Sequence, residues 1–187
     1  MGKEDVTGLL LKYAEGDRAA LASIVPIVYD TLMDMARRTM RKHGEIATLD
    51  TSGLVHEAYL KLVDQSRLGW ENRNHFLAVY SLVMRDVLVD LARRRSARKR
   101  GGDRRRVTLD DSVIRIDEQA EEILSVHDAL EKLGARNPRL GRTVECRFFA
   151  GLTEAETAMA LQVSERTVRR DWIKAKAFLY DLLHPEA

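Results

Sequence analysis

The sequence predicts an all-α fold: two small helical domains joined by a flexible charged linker, the C-terminal one carrying a helix-turn-helix. Three observations carry this expectation. Apolar residues recur at three- and four-residue spacing through both halves, while β-branched alternation is scarce. Only three prolines, Pro26, Pro138 and Pro185, interrupt 187 residues. The charge pattern also breaks sharply in the middle. Residues 1–92 hold 11 basic and 13 acidic side chains, residues 93–106 nine basic and one acidic, and residues 107–128 one basic and seven acidic. A basic block abutting an acidic one marks a boundary. Residues 1–100 are therefore expected to form one domain, 101–117 the linker and 118–187 the second domain.

In the first half the spacing predicts three helices. From Asp17, a candidate N-cap, the residues Leu21, Ile24, Val25, Val28, Leu32, Met35 and Ala36 form one stripe that ends near His43 and Gly44. Pro26 inside it is expected to kink or divide the helix. The second helix runs from about Thr51 to Gln65. Its residues Leu54, Val55, Ala58, Tyr59, Leu62 and Val63 span about half the circumference, and Leu60 lies beyond that arc. One-sided packing needs only about 100°. Such a helix is either fully buried or meets a protein partner on a second face. The third helix runs from about Arg73 toward Arg95, with Phe76, Tyr80, Val83, Met84, Val87, Leu88 and Leu91 in line.

Past Arg98 the apolar periodicity stops, and Val107 to Asp117 shows no stripe and reads as linker. Fully extended, residues 101–117 would reach about 60 Å at roughly 3.5 Å per residue. That is close to two turns of B-DNA at about 34 Å per turn. Four further helices are expected over 118–134, 138–150, 153–162 and 164–183.

Thr153 with Glu156 three residues on is a capping box, and Ser164 with Glu165 behind it is a second N-cap. About three residues separate the two helices they open, with Ala158, Gln162 and Val168 at the offsets where a helix-turn-helix crosses closely. Gln162 stands where glycine is common, so a left-handed conformation there carries strain. On the second helix Val168, Trp172, Ala175, Leu179 and Leu182 form a face to be buried. The other face shows Arg166, Arg170, Ile173 and Ala177, flanked by Thr167, Arg169 and Lys174. A major-groove helix needs this layout: arginine pairs bidentately with guanine, and flanking charges hold phosphates. An amphipathic hairpin with a solvated basic face has the same pattern.

Before and inside the third helix, Trp70, Asn72, Arg73, Asn74, His75, Phe76 and Tyr80 gather aromatics and amides, followed by Arg85, Arg93 and Arg94. Aromatic faces stack on unpaired bases and arginines neutralise the backbone, so the group is a candidate single-strand site. Phe76 and Tyr80 also lie on the apolar stripe, where a core role competes. The acidic stretch with Asp110, Asp111, Asp117, Glu118, Glu121 and Glu122 is a solvated linker or a mimic of nucleic acid for a basic channel.

Other functions are poorly served. One cysteine, Cys146, excludes an internal disulfide and suits a reducing compartment. The N-terminus lacks a signal-peptide layout, and no run approaches the roughly 18 consecutive apolar residues of a membrane span, so a cytoplasmic protein without membrane insertion is expected. His56-Glu57 is not a zinc-protease helix, because Leu60 stands where the second histidine would be. Asp50-Thr51-Ser52-Gly53 is a loose echo of an aspartyl protease motif. No glycine loop cradles a phosphate and no Cys/His cluster is spaced for zinc. Neither an enzyme nor a bound cofactor is expected.

Four segments together resemble a bacterial RNA polymerase sigma factor of the small extracytoplasmic-function type. They are Leu54 to Leu62, His75 to Tyr80 running on to Arg95, Lys99-Arg100-Gly101-Gly102, and Leu152 through Lys176. The resemblance covers nearly the whole chain. It implies that the 51–65 helix docks on core polymerase at the β′ clamp helices through Leu54, Val55, Glu57, Tyr59, Leu60, Leu62 and Val63. It implies that Trp70 to Arg95 recognises and melts the minus-ten element. It also implies that 153–176 reads the minus-thirty-five element as duplex near the β flap. An anti-sigma factor is a possible further partner. Two positions depart from the family: Val79 stands where many relatives have tryptophan, and Asp171 where a basic residue is common. The alternative is a helix-turn-helix regulator that binds duplex DNA without being a polymerase subunit. That reading uses residues 118–187 and leaves 51–65 and 70–95 without a role.

Overall fold

A computed structural model describes residues 3–43, 49–64, 72–100 and 111–184, and among them no strand is found. The helices are α1 (Lys3–Ala14), α2 (Arg18–His43), α3 (Thr51–Asp64), α4 (Arg73–Arg100), α5 (Asp111–Arg136), α6 (Pro138–Val144), α7 (Glu154–Leu161) and α8 (Glu165–Leu183). A π-helical segment, Glu145–Phe149, follows α6 directly.

Several boundaries follow the capping chemistry. The Asp17 carboxylate accepts the Ala19 N–H at 3.0 Å at the start of α2. Asp50 accepts the Gly53 N–H at 2.7 Å and opens α3, which holds its carboxyl below the usual range. The Asp50-Thr51-Ser52-Gly53 motif is thus a helix cap. The Asn137 side chain accepts from the Leu140 N–H ahead of Pro138, an N-cap followed by proline in the first turn.

Four helical expectations change. Helix α1 is additional; Val6, Leu9, Leu10 and Tyr13 supply its stripe, and Val6 and Leu10 are buried. Pro26 neither ends nor divides α2. Pro26 and Ala22 are both exposed, so water can satisfy the Ala22 carbonyl that loses its N–H partner. Helix α4 continues to Arg100, and α5 begins at Asp111, so residues 111–117, expected to lack a helical stripe, are helical. Val113, Ile116, Ala120 and Ile123 stand at helical spacing, a signal the surrounding acidic residues obscure. The expected 138–150 helix changes at Glu145 to a wider turn, where the Ala150 N–H bonds to the Glu145 carbonyl five residues back.

Helix α4 lies at the centre, against α1, α2, α3, α5, α7 and the π-helical segment. Its residues Phe76, Leu77, Tyr80, Met84 and Leu88 are buried with Leu21, Ile24, Val28, Leu32 and Met35 of α2 and Leu54, Val55 and Leu62 of α3. The stretch Ala19–Arg41 of α2 is long and apolar enough to cross a membrane by length and composition, but its stripe fills this core. Ala120, Ile123, Cys146, Ala150, Leu152 and Ala160 join the same cluster, so the C-terminal half packs on the N-terminal one. A second cluster, Leu130, Leu133, Val144, Phe149 and Ala175 with Trp172 and Phe178 beside it, holds α8 onto α5 and α6.

Candidate nucleic-acid interface

Both expected caps around α7 and α8 form. The Thr153 hydroxyl accepts the Glu156 N–H at 3.2 Å, and the Glu156 carboxylate accepts the Thr153 N–H at 2.9 Å. Ser164 accepts the Thr167 N–H at 3.2 Å. Between them Gln162 takes the left-handed conformation, φ 55° and ψ 44°, at the position the spacing marked as strained. Helices α7 and α8 pack on each other across this turn.

The faces of α8 divide as the sequence indicates. Val168 and Ala175 are buried and Trp172 is half-buried, while Arg166, Arg170, Ile173, Lys174 and Ala177 are exposed. Ile173 is 65% exposed, an apolar residue in the middle of a basic surface. Asp171, which departs from the basic residue common at that position, has a structural role. Its carboxylate is buried and accepts from Arg139 of α6 at 2.5 and 3.4 Å, anchoring α8 from behind. The same contact raises the Arg139 pKa. Arg169 leans toward Glu154 of α7, Nε to Oε2 2.6 Å, which raises its pKa and ties the two helices together. Arg166, Arg170 and Lys174 thus point outward, Arg170 with its Nε 3.8 Å from the Asp171 carboxylate, and Thr167 is half-buried at their edge.

The candidate single-strand residues do not all reach the surface. Trp70 lies outside the described residues. Asn72 caps α4, its side-chain oxygen accepting the His75 N–H at 2.9 Å. Arg73 donates to Thr31 Oγ1 at 3.1 Å. Asn72, Arg73, Asn74 and His75 are each partly exposed. Phe76 and Tyr80 are corrected to core residues: both are fully buried, and the Tyr80 hydroxyl donates to the Val55 carbonyl at 2.6 Å, so neither ring can stack on a base. Burial and the neighbouring Tyr59 and Tyr29 raise the Tyr80 pKa. Arg85 is likewise turned inward, onto Glu145 at 2.6 Å and Glu131 at 3.4 Å. Arg93 and Arg94 are exposed, and Arg93 approaches the His127 ring at 3.2 Å.

Helix α3 resolves the question of its wide apolar arc. Leu54, Val55, Ala58 and Leu62 are buried, so Leu54, Val55 and Leu62 are corrected from partner-facing to core. Leu60 and Val63 are 48% and 41% exposed, and Glu57 is exposed beside them, with Tyr59 half-buried. Leu60 and Glu57 border a recess of about 360 Å³ with Leu49, Val87, Leu91 and Arg94. Within it Lys61 Nζ pairs with Asp90 at 2.8 Å. The second face is therefore an exposed apolar surface with charges at its edge.

Among the described residues no three His, Cys, Asp or Glu side chains gather as a metal site. Cys146 is buried, and burial pushes its thiol up to about 12. Compared with known proteins, residues 3–184 match the family described as ECF sigma factor. No curated protein and no solved structure matches the chain.

Proposed function

The chain belongs to the ECF sigma factor family, and from that premise we propose how this alternative sigma factor of bacterial RNA polymerase divides its work among its surfaces. Members of the family bind core polymerase and promoter DNA and act as regulatory subunits. Residues 1–100 would form the unit that holds polymerase and the minus-ten element, residues 118–187 the unit that reads the minus-thirty-five element, with 101–117 between them.

Core polymerase docks on the outer face of α3, where Glu57, Tyr59, Leu60 and Val63 meet the β′ clamp helices. Unpaired promoter strand meets Asn72, Arg73, Asn74 and His75, with Trp70 ahead of them and Arg93 and Arg94 behind. Duplex DNA meets α8 through Arg166, Thr167, Arg170 and Lys174, with Arg169 at the margin and the β flap beside it. The work is positional: each site contributes binding that favours polymerase at one sequence and holds one strand open.

The observation that carries this is the α8 surface, with exposed Arg166, Arg170 and Lys174 on a helix pinned from behind by Asp171 and Arg139. A rigid helix with outward cations at its N-terminal half is suited to the major groove. The test is capture of core RNA polymerase by the purified chain, followed by run-off transcription from promoter DNA. Wild type is expected to bind and initiate. Arg166→Glu with Arg170→Glu should keep polymerase binding and lose promoter selection by tenfold or more. A chain that bound duplex DNA but not polymerase would instead be a regulator of the helix-turn-helix class.

A further inference from the structure

On the reading just given, residues 72–79 must meet a DNA strand, yet the C-terminal half lies across them. Asn72, Arg73 and Asn74 line a cleft of about 470 Å³ whose other wall holds Glu156 and Met159 of α7. His75, Ala78 and Val79 face Arg142, Cys146 and Gln162 across a second cleft of about 490 Å³. Behind these clefts, beside the shared apolar core, polar contacts tie the two halves at the π-helical segment. Arg85 of α4 donates to Glu145 at 2.6 Å, the side chains being 11% and 7% exposed, and its other terminal nitrogen reaches Glu131 of α5 at 3.4 Å. Arg38 of α2 donates to the Ala150 carbonyl at 3.3 Å. The Arg38 guanidinium also sits so close to Gly151, at φ 67°, that a Cβ there would lie 2.6 Å from its central carbon.

Both arginines come from the N-terminal half, and Glu145, Ala150 and Gly151 belong to the π-helical segment and the turn that ends it. Such wide turns interrupt a helix at a cost and are frequent at functional positions. The buried pair makes the seam all-or-none. Removing one partner leaves an uncompensated charge inside, whereas parting the halves returns both charges to water.

We propose that this arrangement is a closed form, latched where Arg85 and Arg38 grip the π-helical segment, and that residues 72–79 bind a DNA strand only after the halves separate. The ligand named here rests on the sigma-factor reading; the latch does not.

The experiment is amide hydrogen exchange of the full chain, paired with binding of a fluorescent single-stranded DNA oligonucleotide. Glu145→Arg should raise exchange in 72–79 and 145–152 at least tenfold while leaving residues 24–36 of α2 protected. Adding Arg85→Glu to it should restore protection by reversing the pair. Glu131→Lys, altering a side chain that is 62% exposed, should raise exchange two- to threefold and decides the matter if Glu145→Arg does not fold. Oligonucleotide affinity should rise at least fivefold in Glu145→Arg and little in Asp181→Arg, which likewise replaces an acid by an arginine, away from the latch. Unchanged exchange, a rise shared equally by α2, or opening without gained affinity would each overturn the proposal. Wild type failing to capture core polymerase would count against the sigma reading and leave the exchange result standing.

Discussion

At Gln162 a single side chain holds the turn between α7 and α8 in a conformation that suits glycine better. A non-glycine residue there costs about 1–2 kcal/mol, partly offset because glycine loses more backbone freedom on folding, by about 0.5–1 kcal/mol. Gln162→Gly should therefore stabilise the chain by about 0.5 kcal/mol, a rise of roughly 1–2 °C in thermal midpoint, with DNA binding unchanged. Calorimetry checks it, and a fall in the midpoint would show that contacts of the glutamine outweigh the strain. Glu145 supports a second prediction, of opposite character. Burial raises its carboxyl to about 7, with Arg85 opposing and Asp86 and Glu131 adding to the shift. His127 on α5 and Arg142 on α6 also lie in this region, and burial lowers the His127 pKa. A carboxyl whose folded value lies above the unfolded 4.5 contributes most stability below 4.5, and loses it as pH rises through about 7. Denaturant titrations should thus show wild type losing stability relative to Glu145→Gln between pH 5 and 8. Equal pH dependence in the two proteins would mean that Glu145 titrates as if in water.

Among the elements, α3 and α8 each separate a packing face from an outward one, and substitution should separate them too. Leu60→Asp with Val63→Asp changes two side chains that are already about half in water, so helicity and thermal midpoint should hardly move. Capture of core polymerase should fall at least tenfold. Leu62→Asp, next to them in sequence, puts a charge into the core and should abolish folding. If the Leu60/Val63 variant binds polymerase normally, the docking face lies elsewhere. These elements also show what could be read from residues alone. The caps Asp17, Thr153 and Ser164 and the basic face of α8 stand where the pattern put them, because capping and amphipathic spacing are local properties. Which side of a wide arc is buried is not local. Leu54, Val55 and Leu62 could not be told from Leu60 and Val63 without the neighbouring helices, and Phe76 and Tyr80 stand both among the stacking candidates and on the apolar stripe, which favours the core. Asp171 departs from the basic residue common at that position, and its partner Arg139 lies 32 residues away, beyond any local pattern. Helix α1 had its signal in Val6, Leu9, Leu10 and Tyr13, too short a run to stand out.

Taken as a whole, the chain packs the helix that follows its basic block against the helix that carries that block's start. Arg85 reaches Glu131 and Arg93 reaches His127, so α4 and α5 run antiparallel. The sequence shows two charge blocks, and reading 101–117 as an extended linker gives a reach of about 60 Å at roughly 3.5 Å per residue. What it could not show is that helix resumes at Asp111 and that this helix packs on α4. The exposed Glu118, Glu121 and Glu122 of α5 are then expected to compete with DNA for cations of the same chain. This competition has a measurable consequence. Each phosphate neutralised by a cation contributes roughly −0.9 to the slope of log affinity against log salt on duplex DNA. Glu118→Gln, Glu121→Gln and Glu122→Gln together remove three acidic charges from α5 without touching the core, since Glu118, Glu121 and Glu122 are exposed. The triple variant of the isolated chain should bind duplex DNA of any sequence more tightly at 50 mM salt, by about tenfold. Its salt slope should steepen by roughly one or two, as one or two more cations meet phosphates. Fluorescence anisotropy between 50 and 200 mM salt reads both. A tighter but parallel line would mean that only the overall charge had changed, and that the acidic stretch does not shield cations of the same chain.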